Sequence, residues 1–343
     1  VSSQPKPRRT LRDAGEFGFI DAIRRDFGGP DRAGELGIGD DAALLPCRGL
    51  AVLSTDMLVE GTHFSLDYFR AAELGFRALS ANLSDLAAMG AKPVAYLVAI
   101  AAPPGMLLSF LHDLYRGMAQ VAAPAGMRLV GGDTVRGEKI ALSITVVGEA
   151  TPGKAVRRTG ARPGDLVVVT GEPGWSRLGL SLLSKGRPHR AAGWRREAMR
   201  RHLTPVARWR EGMAAAASGS LSAMIDVSDG VLPDLGHLVE GGGLGARLDV
   251  SAFPLSKSLV AGAAALGVDP LAAFLSGGED YELLMAVPPR KLATLRRAMA
   301  PFPCGIAPIG TFTTTPGIFV RMPDGREVAG EALPVGFRHF GPG

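Results

Sequence analysis

Cysteine is nearly missing from this 343-residue chain: Cys47 and Cys304 are its two, far apart in sequence. They provide no disulfide framework and no metal-ligand spacing, and they fit a reducing compartment, so a soluble cytoplasmic protein is expected. No run approaches the roughly 18 to 20 apolar residues that a membrane span needs. The basic, Pro-containing stretch 1–12 lacks an apolar segment of signal-peptide length. There is no Gly-x-x-x-x-Gly-Lys-Ser/Thr loop, no His-Arg-Asp and no Asp-Phe-Gly, which excludes P-loop kinases and protein kinases. The formal charge of +5 comes from scattered arginines. Runs such as Arg195-Arg196 and Arg200-Arg201 have no groove-reading motif or aromatic-basic interleaving beside them, so they read as solvated helix faces and no nucleic-acid partner is expected.

What is present is apolar material for a core, 46% of the chain, in a length that suits two domains. From Gly15 onward short apolar strands alternate with longer helical stretches, as in α/β and α+β proteins. Residues 1–12 are expected to be a disordered tail, 13–155 an N-terminal domain and 156–343 a C-terminal domain, divided at the polar, Gly- and Pro-containing segment 157–165. In the first domain a strand over 51–54 is expected to close at Thr55-Asp56. Leu74, Ala78, Leu79, Leu83, Leu86 and Met89 fall near helical spacing over 71–89, with Gly90 placed to end the helix. Residues 94–102 are apolar without alternation, as in a strand buried on both faces. A helix over 106–123 and strands over 127–130 and 140–147 follow. The second domain is expected to hold strands at 166–170, 223–225, 246–250 and 283–287, helices around 175–185 and 195–218, and a helix after Ser228.

The aspartates carry the most information. Asp40 and Asp41 stand before the apolar run 42–45, Asp56 closes Ser54-Thr55-Asp56, and Asp133 ends Gly131-Gly132-Asp133. Asp85 follows Asn82 by three residues and shares its helix face. Asp226 and Asp229 bracket a strand end in Ile225-Asp226-Val227-Ser228-Asp229-Gly230. A single aspartate of this kind is ordinarily a turn or cap residue; Asp229 alone reads as a cap for the helix that follows. Six such segments point further. Carboxylates gathered at one site repel each other unless cations neutralise them. An oxygen-only donor set selects a hard ion, Mg²⁺ or Mn²⁺, which commonly shares its shell with substrate phosphates. Gly131-Gly132 and Gly277-Gly278 follow apolar segments, where they serve either as plain turns or as bare backbone for close approach of a ligand. The pattern suggests phosphoryl chemistry.

Six segments occur in order: Gly-Ile-Gly-Asp-Asp-Ala-Ala-Leu-Leu (37–45), Ser-Thr-Asp-Met-Leu-Val-Glu-Gly-Thr-His-Phe (54–64), Asn-Leu-Ser-Asp-Leu-Ala-Ala-Met-Gly-Ala (82–91), Gly-Gly-Asp-Thr (131–134), Ile-Asp-Val-Ser-Asp-Gly (225–230) and Ser-Gly-Gly-Glu-Asp-Tyr-Glu-Leu (276–283). Together they resemble the thiamine-monophosphate kinase family. The resemblance implies a two-domain α/β (α+β) fold like that of aminoimidazole ribonucleotide synthetase and selenophosphate synthetase, with N-terminal domains paired into a β-barrel in a homodimer. It implies ATP-dependent phosphorylation of thiamine monophosphate to thiamine diphosphate, assisted by several Mg²⁺ ions. By motif match, Asp41, Ser54, Thr55, Asp56, Asp85, Asp133, Asp226 and Asp229 would be metal ligands. Gly132, Asp133, Arg158 and Ser228 would contact ATP, and His63, Glu279 and Phe337 the thiamine substrate. No catalytic general base is implied, because a phosphomonoester with a second pKa near 6 is mostly ionised at neutral pH. One segment departs from the family: Gly174-Trp175-Ser176-Arg177-Leu178-Gly179-Leu180 stands where Gly-Asp-Ser-Ala-Ala-Gly-Leu is usual.

Overall fold

A computed structural model describes residues 9–30, 35–39, 42–188, 191–240 and 242–333. They form two compact units, one made of the chain up to Asn82 with Pro93–Glu149, the other of Leu83–Lys92 with the chain from Ala150 onward.

The first unit opens with α1 (Leu11–Ile23), which runs on into a turn of π-helix at Arg24–Gly28. Thr10 starts it: its backbone N–H and its hydroxyl donate to Asp13 Oδ2 at 2.7 and 2.8 Å. Helix therefore begins inside the stretch expected to be a tail. Then come β1 (Leu50–Val59), α2 (Ala71–Ala88, whose residues from Leu83 onward count with the second unit), β2 (Lys92–Ala102), α3 (Leu108–Ala125), β3 (Arg128–Arg136) and β4 (Ala141–Ala150), the strands ordered β1-β4-β2-β3. The apolar stripes read from the sequence face inward, with Leu74, Leu79, Leu111, Leu114 and Met118 fully buried. Both β1 and β3 outrun their expected ends, so Asp56 and Asp133 lie within strands instead of closing them. The reason is that a ladder is made by backbone groups. Asp133 keeps its register opposite Ala99 of β2 while its side chain faces solvent.

The second unit contains β5 (Leu166–Thr170), α4 (Trp175–Leu183), α5 (Trp194–Leu203), α6 (Trp209–Ala217), β6 (Ala223–Val227), α7 (Val231–Glu240) and β7 (Gly245–Asp249). They are followed by α8 (Lys257–Leu266), α9 (Pro270–Ser276), β8 (Glu282–Val287), α10 (Leu292–Met299), β9 (Ile306–Thr313), β10 (Gly317–Arg321) and β11 (Glu327–Ala329). The seven strands are ordered β11-β10-β7-β9-β5-β8-β6, with β10 and β7 parallel and the remaining neighbours antiparallel. Alternate residues feed two cores. Val167, Val169, Leu284 and Ala286 pack with Leu235, Phe274 and Phe312 on one face. Val168, Leu283 and Met285 pack with Met224 and Leu295 on the other. Every residue of β8 is buried.

The single helix expected over 195–218 is two helices. Pro205 lacks an N–H and disfavours helical geometry in the residue before it, and Thr204 leaves the helix at φ −136°, ψ 62°.

Glu282, the first residue of β8, is completely buried. Arg208 donates to it from Nε and Nη2 at 2.7 and 2.5 Å, Arg201 at 3.1 Å and the Thr170 hydroxyl at 2.7 Å. Burial pushes its pKa up, but the charge and hydrogen bonds of Arg208, helped by Arg201 and Thr170, outweigh this and hold it below its ordinary value of 4.5. A depressed carboxylate contributes stability above its unfolded pKa and loses it as pH falls through the folded one. Glu282→Gln should therefore destabilise by about 3–5 kcal/mol at neutral pH, as removal of one member of a buried ion pair does. The gap between the two melting temperatures should shrink on acidification below the unfolded value; a gap that stays constant into acid would contradict this origin.

Candidate metal and nucleotide site

In the first unit Ser54, Thr55 and Asp56 follow one another on β1, and Gly132 and Asp133 sit on β3, the two outer strands of the sheet. The Thr55 hydroxyl is drawn into the sheet, donating to Ile144 O at 3.1 Å and accepting from Thr145 Oγ1 at 3.1 Å. The Asp56 N–H donates to Asn82 Oδ1 at 3.0 Å, and the Asn82 amide donates to Ala78 O within α2 at 2.9 Å. A fully buried asparagine thus fixes the backbone at the aspartate. Asp56 is accessible to solvent, yet surrounding protein partly desolvates its carboxyl and raises its pKa, against the lowering effect of His63. His63 follows β1 in a turn, and its Nδ1 accepts the Val59 N–H at 3.0 Å. That bond leaves the proton of the neutral ring on Nε2.

Asp133 is exposed, with Oδ1 accepting the N–H of Thr134 at 2.8 Å. A Cβ at Gly132 would collide with the Val98 carbonyl, so glycine is required for β3 to lie this close to β2. A small pocket opens beside it. Ile20, Ile23, Ile38, Leu129 and Tyr115 form its apolar wall, with Gly131, Asp133 and Thr134 on the polar side. Tyr115 was not singled out by sequence, since it merely adjoins the buried stripe of α3; the edge-on packing of Phe19 against it, at 6.0 Å between ring centres, makes it part of the wall.

In the second unit the candidates fall on two loops that are bonded to each other. The turn Ser228-Asp229-Gly230 joins β6 to α7. Asp234, in the first turn of α7 and 2% exposed, reaches back so that its Oδ2 accepts the N–H groups of Ser228, Asp229 and Gly230 at 3.0, 3.1 and 3.2 Å. Burial pushes the Asp234 carboxyl up to about 7, against the pull of these backbone bonds. Asp226 is buried on β6, Ser228 half-buried and Asp229 exposed. The other loop, before β8, has Glu279 and Tyr281 at φ 59° and 52°, a region rarely adopted by side-chain-bearing residues. The Glu279 N–H donates to Ser228 O at 2.6 Å and the Tyr281 N–H to Val227 O at 2.9 Å. Between them Asp280 is buried and accepts the N–H groups of Gly174 and Ser176 at 2.7 and 3.0 Å, capping α4. Burial pushes this carboxyl also up to about 7.

The unusual segment 174–180 thus keeps its tie to the Glu279 loop through backbone groups that no side-chain change removes. Its bulky Trp175 and Leu178 are accommodated in a core with Ala198, Leu259 and Ala263. Ser176 Oγ lies 3.1 Å from Nδ1 of the buried His202, whose ring is 3.8 Å from the Glu279 carboxylate. Arg158 is exposed, next to Arg157, whose carbonyl accepts the Met224 N–H at 3.0 Å. Asp85 is half-buried on α2.

The structure therefore brings Ser228, Asp229 and Glu279 onto one pair of cross-bonded loops, with Asp226 just before them on β6, while Asp56 and Asp133 stand on opposite outer strands. Among the described residues no group of three or more His, Cys, Asp or Glu side chains is close enough to hold a metal ion. Asp41 and Phe337 lie outside the described residues.

Residues 39–150 match the family described as AIR synthase related protein, N-terminal domain, and residues 162–323 match its C-terminal domain. The thiamine-monophosphate kinase of Mycobacterium tuberculosis is 38% identical over 336 residues, 97% of this chain and 93% of its own. The crystal structure of thiamine-monophosphate kinase from Stenotrophomonas maltophilia K279a superposes with a TM-score of 0.77 at 32% identity, covering 90% of this chain and 95% of its own. A structure described as AaThiL complexed with AMPPCP and TMP gives a TM-score of 0.75 at 32% identity, over 99% of this chain and 100% of its own. Likeness of this extent through both units, with the six motifs in order, means that the chain belongs to the thiamine-monophosphate kinase family of AIR synthase-related proteins.

Proposed function

We propose that the protein transfers the terminal phosphoryl group of ATP to the phosphate of thiamine monophosphate, yielding thiamine diphosphate and ADP. The observation that carries this reading is the complete series of six motifs in a chain 38% identical, over 97% of its length, to the thiamine-monophosphate kinase of Mycobacterium tuberculosis. The AMPPCP and TMP held by a relative of the same fold support both substrates.

The candidate metal donors are carboxylates and hydroxyls, without cysteine and with the Nδ1 of His63 already engaged. Such a set suits Mg²⁺, and Asp41, Ser54, Thr55, Asp56, Asp85, Asp133, Asp226 and Asp229 would be ligands shared among several such ions. When bound, Mg²⁺ offsets the charge of two phosphate groups brought in line. The bare backbone at Gly132, beside the Tyr115 pocket, receives the nucleotide together with Asp133, Arg158 and Ser228. Glu279 and Phe337 take the thiamine moiety, its cationic ring suiting a carboxylate and an aromatic face. His63 offers an Nε2–H to the substrate; it is a donor and not a proton acceptor. The acceptor phosphate needs none, and transfer is direct, without a phosphoenzyme.

The partner is a second copy. Leu50, Leu53 and Met57 on β1, with Leu44 and Val135, are 50–63% exposed on the first unit, and pairing these units into a β-barrel would cover them. Both cysteines are free, and among the described residues no single helix is long and apolar enough to cross a membrane; we place the activity in the cytoplasm.

An ADP-release assay over thiamine monophosphate, free thiamine and aminoimidazole precursors tests the reading, and turnover with thiamine monophosphate alone is expected. Asp56→Asn should lower kcat by orders of magnitude with the fold intact, and wild-type activity in that variant would remove Asp56 from the site. Wild-type protein should gain about 2.7 kcal/mol of stability when Mg²⁺ and nucleotide are present at a hundred times their dissociation constant.

His63→Asn should raise KM for thiamine monophosphate more than it lowers kcat. A fall in kcat of ~10³-fold at unchanged KM would give the imidazole a transition-state role instead. Sedimentation equilibrium should return twice the 35.7 kDa chain mass, and Leu53→Lys should shift it toward one.

A further inference from the structure

The turn that carries Ser228 and Asp229 is held by a residue that belongs to none of the six motifs. Asp234 is 2% exposed, and a single oxygen of its carboxylate takes three successive backbone N–H groups at 3.0, 3.1 and 3.2 Å. Consecutive N–H groups aimed at one point make an anion-binding concavity. Here the chain fills that concavity with its own carboxylate. The inner side of the turn is thereby committed, which leaves the half-buried Ser228 and the exposed Asp229 to face outward.

The turn is gripped from its other side as well. Its Ser228 carbonyl accepts the Glu279 N–H at 2.6 Å, and the preceding Val227 carbonyl accepts the Tyr281 N–H at 2.9 Å. Gly230, at φ 120°, has no room for a Cβ, which would stand 2.7 Å from Ser276 Cα. The peptide units from 227 to 230 are therefore trapped between the Asp234 carboxylate and the 276–281 segment. A shift of either neighbour must move the turn.

We propose that Asp234 is a positioning residue of the phosphoryl-transfer site. It fixes Ser228 and Asp229 for nucleotide and metal and, through the Ser228 carbonyl, sets the backbone of Glu279 for the acceptor. The inference rests on the function proposed above. Asp234 touches no reacting atom; it acts by holding three N–H groups in one arrangement, and its ionised form does so with charge-assisted bonds that a neutral acceptor makes more weakly.

The test uses full-length Asp234→Ala and Asp234→Asn, with calorimetric titration of AMPPCP in Mg²⁺, steady-state kinetics and melting curves. Asp234→Ala is expected to weaken Mg²⁺-dependent AMPPCP binding at least about tenfold and to raise KM for ATP in parallel. Asp234→Asn keeps an acceptor oxygen in place and should recover most of that loss, remaining about threefold weaker than wild type. A residue that only caps α7 would lower the melting temperature of both variants and leave the nucleotide dissociation constant of the folded protein unchanged; that result overturns the proposal. If the alanine variant does not fold, the asparagine variant decides alone, an unchanged dissociation constant again counting against the proposal. Wild-type protein that binds AMPPCP with Mg²⁺ but fails to phosphorylate thiamine monophosphate would sink the proposed function while leaving the calorimetric comparison valid.

Discussion

A carboxylate removed from water is tolerable in a protein only when charge and hydrogen bonds replace the hydration it loses, and Glu282 meets that condition at the centre of the second unit. Its partners come from three places: Thr170 at the end of β5, Arg201 on α5, and Arg208 just ahead of α6. The Thr170 hydroxyl in turn accepts the N–H of Leu283 at 2.8 Å, so side chain and backbone of β8 are tied to β5 together. Gly171, at φ 59°, has the Glu282 carboxylate where a Cβ would stand, so even the chain leaving β5 is shaped around this charge. The break at Thr204-Pro205 belongs to the same arrangement. It separates α5 from α6, and arginines from either side of the break reach one carboxylate.

From Glu282 the constraint runs back along the chain into the site. Three acids lie within four residues and do three different things. Glu282 turns inward to the arginines, Asp280 turns to the N-terminus of α4, and Glu279 is left half-buried at the surface. An extended strand could not aim them in this way. The positive φ angles at Glu279 and Tyr281 do so, at a cost of order 1–3 kcal/mol each. That strain persists because the flanking side chains and the two bonds to the Val227 and Ser228 carbonyls over-determine the loop. Its geometry is therefore a product of the buried network and of the turn at Ser228, and Glu279 inherits its position from both.

This explains which features the sequence could disclose. Periodic apolar stripes revealed α2 and α3 because burial acts on side chains at helical spacing. The same reasoning stopped β1 and β3 too early, since Asp56 and Asp133 interrupt an apolar run without interrupting the backbone ladder. Pro205 was visible in the sequence, but Ala-rich residues after it and arginines before it both suit a helix, and the two helices read as one. The candidate ligands stood out because carboxylates in short Gly-containing segments are unusual chemistry. Asp234 has no such mark, and Asp280, although it lies in the Gly277-Gly278 segment, has no local sign of its partner. Asp234 looks like an ordinary first-turn aspartate, and the Ser176 N–H that Asp280 accepts is 104 residues away in sequence.

Burial then sorts the acids by task. Asp234, Asp280 and Glu282 are buried, and at least one oxygen of each is occupied by N–H, guanidinium or hydroxyl donors. An acid so occupied cannot turn toward a cation without abandoning bonds that the interior would leave unreplaced. Asp56, Asp133 and Asp229 are exposed, with Asp56 partly desolvated by surrounding protein and Asp133 engaged by the neighbouring Thr134 N–H. Asp226 falls between the groups, buried on β6 yet only three residues before Asp229 and opposite Leu283, one residue after Glu282. Its position joins the two sets physically: β6, which delivers Asp226, pairs with β8, which begins at the buried Glu282. Carboxylates of one chemical kind are thereby divided into those that hold the backbone and those left open to solvent. The division is made by backbone N–H groups and arginines, neither of which a ligand-spacing motif records.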